Sequence, residues 1–273
     1  MSVTWGAGLH APVGQRVDGA AYDLYIGRWS RLFVPALLGA AEIKNGDRVL
    51  DVATGTGEAA QSALDRVGHS GLVVGADISA AMLNAASMRL SSPRFLPVVS
   101  DGQSLVFPDS TFDAVLCQLG LMFFPDPARG LTEFRRVLRP GRRAAVCVIS
   151  LASRAPMWGI LAETLSGVLP EHTKTLLLSF SLADAARLER MLGVAGFSDV
   201  RVIRETRRDW IPSFDEYWAP VEAGTGSLPQ AYLALPEASR LAVRDEVHRK
   251  LMQFEADGRL DLSVEMLIAS GHA

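Results

Sequence analysis

The run Arg48-Val-Leu-Asp51-Val-Ala53-Thr-Gly55-Thr-Gly57-Glu-Ala-Ala60 constrains the fold of this chain more than any other stretch. An apolar segment ends in an acid, passes through glycines and opens into an alanine-rich helical pattern. Such an order brings a β-strand to a helix N-terminus, where backbone N–H groups lack partners and the dipole is positive. Gly55 and Gly57 permit a tight turn and let a ligand approach the backbone closely.

Two ligands compete for this turn. Gly55-x-Gly57-x-x-Ala60 fits the fingerprint of nicotinamide or flavin dinucleotide enzymes, with Asp77 about 20 residues further on to hold a ribose. Asp51-x-Ala53-x-Gly55-x-Gly57 instead resembles motif I of the class I S-adenosylmethionine-dependent methyltransferases. A carboxylate ahead of the glycines would repel a pyrophosphate, and it suits the ammonium at the amino-acid end of S-adenosylmethionine. Ala53 stands where many members of that family carry a glycine, and alanine is expected to sit there with an ordinary φ.

The rest of the chain alternates. Strands are predicted at Val49–Val52, Leu72–Asp77, Phe95–Val99, Phe112–Cys117 and Ala144–Ser150. Helices are predicted at Glu58–Val67, at Ala80–Leu90 behind a Ser79 cap, and from Asp126 to Leu138. Short joints between them imply right-handed crossovers and a Rossmann-like, doubly wound α/β sheet. Further upstream, a short helix near Tyr22 and Tyr25 breaks at Gly27 and a second runs from about Ser30 to Ala41. Downstream, helical segments (155–169, 173–180) precede a helix capped by Ser181 and a strand, Phe197–Thr206. Then come Phe214–Glu222, a loop with Gly224, Gly226 and Pro229, helices from Ala238 to Glu255 and a final strand, Leu260–Ala269. The expected organisation is an N-terminal lid or arm (1–30), a cofactor-binding core (31–150), a helical cap (151–180), core continued (181–210), a second helical insertion (211–258) and a final core strand (259–273).

Asp51, Asp77 and Asp101 fall at the ends of the first three strands, lining the crevice outside the carboxyl edge of a parallel sheet. Asp77 can take both ribose hydroxyls. Asp101 can accept from the adenine amine, with Gly102 and Gln103 framing the ring and Ile78 and Met82 packed against it. A dinucleotide enzyme needs no acid at the third position. The runs Asp101-Gly-Gln-Ser-Leu-Val-Phe107-Pro108-Asp109-Ser-Thr-Phe112-Asp113 and Glu133-Phe-Arg-Arg-Val-Leu-Arg139-Pro140-Gly141-Arg are similar to segments of small-molecule methyltransferases of the ubiquinone/menaquinone-biosynthesis type (methyltransferase type 11). The likeness covers Val49–Ser150 strongly, and Tyr22–Ser30 and Phe214–Gly226 more weakly. It implies a seven-stranded, mostly parallel sheet with the last strand antiparallel and with helical cap insertions. It also implies S-adenosyl-L-methionine as cofactor, bound by Asp51, Ala53, Gly55, Gly57, Asp77, Ile78, Met82, Asp101, Gly102, Gln103, Gln118, Arg28 and Ser30. Arg28 would pair with the methionine carboxylate.

After the fourth strand the run Gln118-Leu-Gly-Leu-Met122-Phe123-Phe124-Pro125 lacks the Asn/Asp-Pro-Pro-aromatic motif of enzymes that methylate nucleic-acid amines. Its apolar residues are either a wall for a hydrophobic acceptor or ordinary core. Tyr22, Tyr25 and His172 are the candidate catalytic residues, each with a packing or solvated alternative. Methyl transfer needs a base only where the acceptor must first lose a proton.

Composition sets the bounds. The 273 residues, 49% of them hydrophobic, support one large domain or a core with insertions. A net charge of −3 provides no global field for nucleic acid. No run approaches the about 18 apolar residues of a membrane span. The N-terminus shows no secretory signal pattern, so a cytoplasmic enzyme is expected. Cys117 and Cys147 lie in apolar runs as inert thiols, and the five histidines form no metal-ligand spacing. A small hydrophobic molecule is the expected partner, and a homo-oligomer is left open. Beside the methyltransferase stand a nicotinamide-dependent oxidoreductase and a catalytically silent S-adenosylmethionine-binding protein.

Overall fold

A computed structural model describes residues 4–5, 9–10 and 23–273. The central sheet contains β1 (Arg48–Val52), β2 (Leu72–Asp77), β3 (Phe95–Val99), β4 (Phe112–Gln118), β5 (Leu138–Ile149), β6 (Ser198–Ile211) and β7 (Arg259–His272). Their order is β3-β2-β1-β4-β5-β7-β6. β1 to β5 pair in parallel. β7 runs antiparallel: the Ser150 N–H donates to Glu265 O near one end of its ladder with β5, and Ala273 N–H donates to Arg142 O at the other. Seven strands form the path of the sheet, as expected, and an eighth, Glu255–Ala256, pairs only with β7. The order reverses beside β1, which puts the crevice of a doubly wound sheet at the carboxyl ends of β1 and β4.

The chain forms two compact units: residues 30–148, 182–205 and 266–273, and residues 1–29, 149–181 and 206–265. In the first, β4 is buried from Phe112 to Cys117, and Val49 and Leu50 of β1 are wholly enclosed. Strands so covered on both faces read as continuous apolar runs. Helices α1 (Arg28–Ala40), α2 (Glu58–Val67), α3 (Ala80–Leu90), α4 (Pro127–Val137) and α6 (Ala185–Val194) supply the flanks, and α5 (Pro156–Val168) belongs to the second unit. Ala60, Ala63, Leu64 and Val67 form the inner face of α2. A Cβ on Gly75 of β2 would stand 2.6 Å from the Phe95 ring, so the strand tolerates only glycine there without repacking.

The second unit is built from α5 with α7 (Phe214–Glu222), α8 (Ser227–Leu233) and α9 (Glu237–Leu251). Trp158, Leu161 and Leu165 bury one side of α5, and Tyr217, Trp218, Val243, Val247 and Leu251 are enclosed on the others. Phe214 stacks at 5.6 Å on Trp218 and at 4.1 Å on His248. Such aromatic pairs add about 0.5–1.5 kcal/mol beyond their buried area.

Several boundaries differ from those expected. The segment before α1 is a π-helical turn, Asp23–Gly27, running straight into the helix at Arg28 with no break at Gly27. Tyr22 lies outside the described residues. β5 begins at Leu138 because Leu138 pairs with Phe112 and Arg143 with Ala114, so Pro140 and Gly141 bulge out of the strand without ending it. Asp184, not Ser181, caps α6, accepting from Arg187 N–H at 3.1 Å. Pro229 sits within the first turn of α8, where backbone N–H groups have no intrahelical partner and proline costs little. β6 continues past Thr206 to Ile211, and the Arg208 guanidinium bonds Asp261 of β7 there.

Candidate functional site

The three acids stand at the carboxyl ends of three neighbouring strands. Asp51 pairs in register with Gly75, and Asp77 with Val99. Asp101 follows directly beyond β3 and bridges to Ser104. Each is held differently: Asp51 and Asp77 bond residues of the glycine turn between β1 and α2, and Asp101 bonds Gln103.

Asp51 is fully enclosed (0% exposed). The Thr54 hydroxyl donates to its Oδ2 at 2.6 Å, while Oδ1 is buried with no partner. Burial pushes its pKa from 3.8 up to about 7; the Thr54 bond lowers it and the charge of Asp77 raises it again. Asp77 holds the turn from the other side: Gly55 N–H donates to Oδ2 at 2.9 Å and Ser79 N–H to Oδ1 at 2.9 Å. Its pKa is raised by burial, and those amides pull it back. Asp101 is exposed and its Oδ1 accepts from Gln103 N at 2.9 Å and Nε2 at 3.2 Å. Ile78, beside Asp77, is 48% exposed. An apolar side chain left open next to a strand end offers a face for a ring.

Gly55 (φ 55°) and Gly57 (φ 87°) take the left-handed conformation the turn demands. Ala53 takes it too, at φ 56°, which corrects the ordinary φ expected of it. Leu119, just past β4, is a second non-glycine residue at φ 56°. A Cβ on Gly120 would lie 2.4 Å from that of Ala53. The space for the Ala53 methyl therefore exists because residue 120 has none.

Gln118 ends β4, the strand beside β1. Its Nε2 donates to Ser30 O at 3.1 Å and Ser30 Oγ at 3.2 Å. Its Oε1, like Asp51 Oδ1, is buried without a partner. Two strand ends thus each present an acceptor with nothing donating to it. Buried polar groups in folded proteins are almost always paired, and each exception calls for an explanation.

The other expected site residues stand in varied surroundings. Gly102 is required by packing: a Cβ there would meet the Phe124 ring at 2.3 Å. Leu121 and Met122 are core, and Phe124 packs edge-on to Phe134 at 6.2 Å. Within the second unit, Arg28 bonds Asp209 and the Trp210 carbonyl, and His172 is exposed, 3.7 Å from Glu171. Tyr25 is enclosed there, its hydroxyl without a partner. Sequence reasoning missed Thr54, although a hydroxyl three residues after an acid in a tight turn is a recurring local hydrogen-bond pattern. It also missed Glu58, which follows the turn, is buried, and pairs with Arg31 and Arg89.

The fold and the glycine turn define a Rossmann-like cofactor-binding protein. Residues 50–146 match the model of a methyltransferase domain family. A demethylmenaquinone methyltransferase of Mycobacterium sp. (strain KMS) is 33% identical over 206 residues, 71% of this chain and 86% of the relative. The ubiquinone/menaquinone biosynthesis C-methyltransferase of Xanthomonas oryzae pv. oryzae is 40% identical over 126 residues, 45% of this chain. The chain spans about half (48%) of the length of that relative. A SAM-dependent methyltransferase from Aquifex aeolicus has the same fold: TM-score 0.53, 21% identity, 68% of this chain and 90% of that one. The chain belongs to the methyltransferase family of these relatives.

Among the described residues no helix is long and apolar enough to cross a membrane, and no group of His, Cys, Asp and Glu is arranged to hold a metal.

Proposed function

We propose that the chain is an S-adenosylmethionine-dependent methyltransferase acting on a small, largely hydrophobic acceptor of quinone type. The single observation that carries the reading is the pair of orphaned acceptors, Asp51 Oδ1 and Gln118 Oε1, at the ends of β1 and β4. A buried acceptor pair asks for a donor, and a cationic donor suits a carboxylate whose pKa burial has raised to about 7. The ammonium of S-adenosylmethionine is such a donor.

Asp77 already bonds two backbone amides, and its remaining lone pairs suit the ribose hydroxyls. Ile78 and Met82 flank the adenine, and Asp101, with Gly102 and Gln103, meets its amine. Ala53, Gly55 and Gly57 keep the turn close, and Ser30 orients the Gln118 amide. Arg28 is committed to Asp209 and is left out of this set.

S-adenosylmethionine, when bound, would supply an electrophilic methyl on a sulfonium, which the acceptor would take in line with S-adenosylhomocysteine as the leaving group. The chain's part is to orient and to exclude water; the relatives' names point to carbon as the accepting atom. A nicotinamide enzyme fits less well. Gly55 N–H, which a diphosphate would need, is taken by a carboxylate, and a second carboxylate lies buried beneath it. Calorimetry with S-adenosylhomocysteine is expected to give micromolar binding, weakened about tenfold or more in Asp77→Ala, the scale of a lost charged hydrogen bond. No heat from S-adenosylhomocysteine, together with protection by NAD(P) in thermal melts, would overturn the assignment.

A further inference from the structure

The second unit holds buried donors without acceptors. The Tyr25 hydroxyl and Trp29 Nε1 are both enclosed (2% and 0% exposed), and neither has a partner. They lie one helical turn apart, spaced to share a face. Trp158 touches both: its Nε1 donates to the Tyr25 carbonyl at 3.3 Å, and its ring meets Trp29 edge-on at 6.4 Å. The nearby Tyr217 hydroxyl is engaged with Met157 O at 3.0 Å. An indole N–H can only donate. Burial holds the Tyr25 phenol well above its ordinary pKa, so it keeps its proton at any working pH.

Leaving such donors unpaired costs about 1–3 kcal/mol each. Tyr25 sits in the π-helical turn Asp23–Gly27, a geometry that recurs at functional sites because it displaces backbone carbonyls from the regular ladder. The Tyr25 carbonyl is bonded by Trp158 instead. Aromatic surfaces around two unpaired donors are the complement of a planar ring carrying an oxygen.

We propose that the Tyr25 hydroxyl and the Trp29 indole form a donor pair that binds the oxygen of a planar, oxygen-bearing acceptor ring and so selects among acceptors. This rests on the methyltransferase reading and names the group it would recognise.

The test compares 1,4-naphthoquinone with naphthalene, the same ring frame without oxygens, as ligands in thermal melts of the full chain. Wild type is expected to be stabilised more by the quinone. Tyr25→Phe and Trp29→Phe should each cut the quinone's apparent affinity about tenfold, the scale of one hydrogen bond, and leave the naphthalene response unchanged. Free Tyr25→Phe should melt no lower than wild type, because the hydroxyl it loses had no partner. A lower melting point, meaning a hydroxyl already satisfied by a buried water, would overturn the proposal. So would an unchanged quinone response in Tyr25→Phe, or a wild type that does not distinguish the two rings. Calorimetry with S-adenosylhomocysteine on the same samples separates the readings: no cofactor heat beside the expected quinone response overturns methyl transfer alone.

Discussion

The strand-end turn and the helical unit leave opposite halves of a hydrogen bond unmade. At the turn two of the orphans are pure acceptors, Asp51 Oδ1 and Gln118 Oε1, beside the Thr56 hydroxyl, which can donate or accept; among the helices they are donors, the Tyr25 hydroxyl, Trp29 Nε1 and Arg240 Nε. The turn is held by Thr54 and Asp77, and the helices by Trp158 and Tyr217. The difference is chemical. Acceptors around a buried carboxylate call for a cation, and donors among aromatic rings call for a neutral oxygen. On the proposed reading the first chemistry serves the cofactor and the second the acceptor.

The rigidity of the turn is the easiest part of this contrast to break. Gly120→Ala would drive a methyl to 2.4 Å from the Ala53 Cβ. Overpacking of this kind costs about 1–3 kcal/mol, so a fall in melting temperature of several degrees is expected. Ala53→Gly alone should raise stability by about 1 kcal/mol, because it relieves the left-handed alanine at φ 56°. Combined, the two changes should recover most of the loss. If the double variant is only as stable as the sum of the single effects predicts, the two residues are uncoupled.

Acidity sharpens the contrast, with a smaller effect. Asp51 holds its proton up to about 7 in the folded protein, against 3.8 for a free side chain. Between those values the unfolded state has released a proton that the native state keeps. Its contribution therefore lowers stability as pH rises, by up to about 1.4 kcal/mol per pH unit, and levels off above the folded value. Urea unfolding across that window should show wild type losing stability relative to Asp51→Asn as pH rises, and a difference that stays constant with pH would contradict the shift. Tyr25→Phe should leave the pH profile parallel to wild type, since that phenol does not titrate there. Asp77 shifts in the same direction as Asp51; the carboxyls of Asp113 and Asp209 shift the opposite way and act at lower pH.

How much of this was legible in the sequence follows from where the signals are local. The strands, the glycine turn and the row of three acids are written in short-range patterns: apolar runs, turn residues and an acid at each strand end. Boundaries set by long-range pairing are not. Pro140 and Gly141 resemble a stop, and only the pairing of Leu138 with Phe112 carries the strand through them. Ser181 and Asp184 are both acceptable caps by type, and tertiary placement chose the second. The left-handed Ala53 depends on a missing methyl at Gly120, which no local rule supplies. Trp29 carried no motif at all, and Arg28, which looked ready for a carboxylate ligand, found Asp209 instead.

The most direct measurement compares S-adenosylhomocysteine with 5′-methylthioadenosine, which keeps the adenosine and lacks the amino-acid end. If Asp51 and Gln118 receive the ammonium, wild type should prefer S-adenosylhomocysteine by about 10- to 100-fold, the worth of charge-assisted hydrogen bonds. That preference should shrink about tenfold in Asp51→Asn while methylthioadenosine binding is unchanged. An equal preference in wild type and variant would contradict the account.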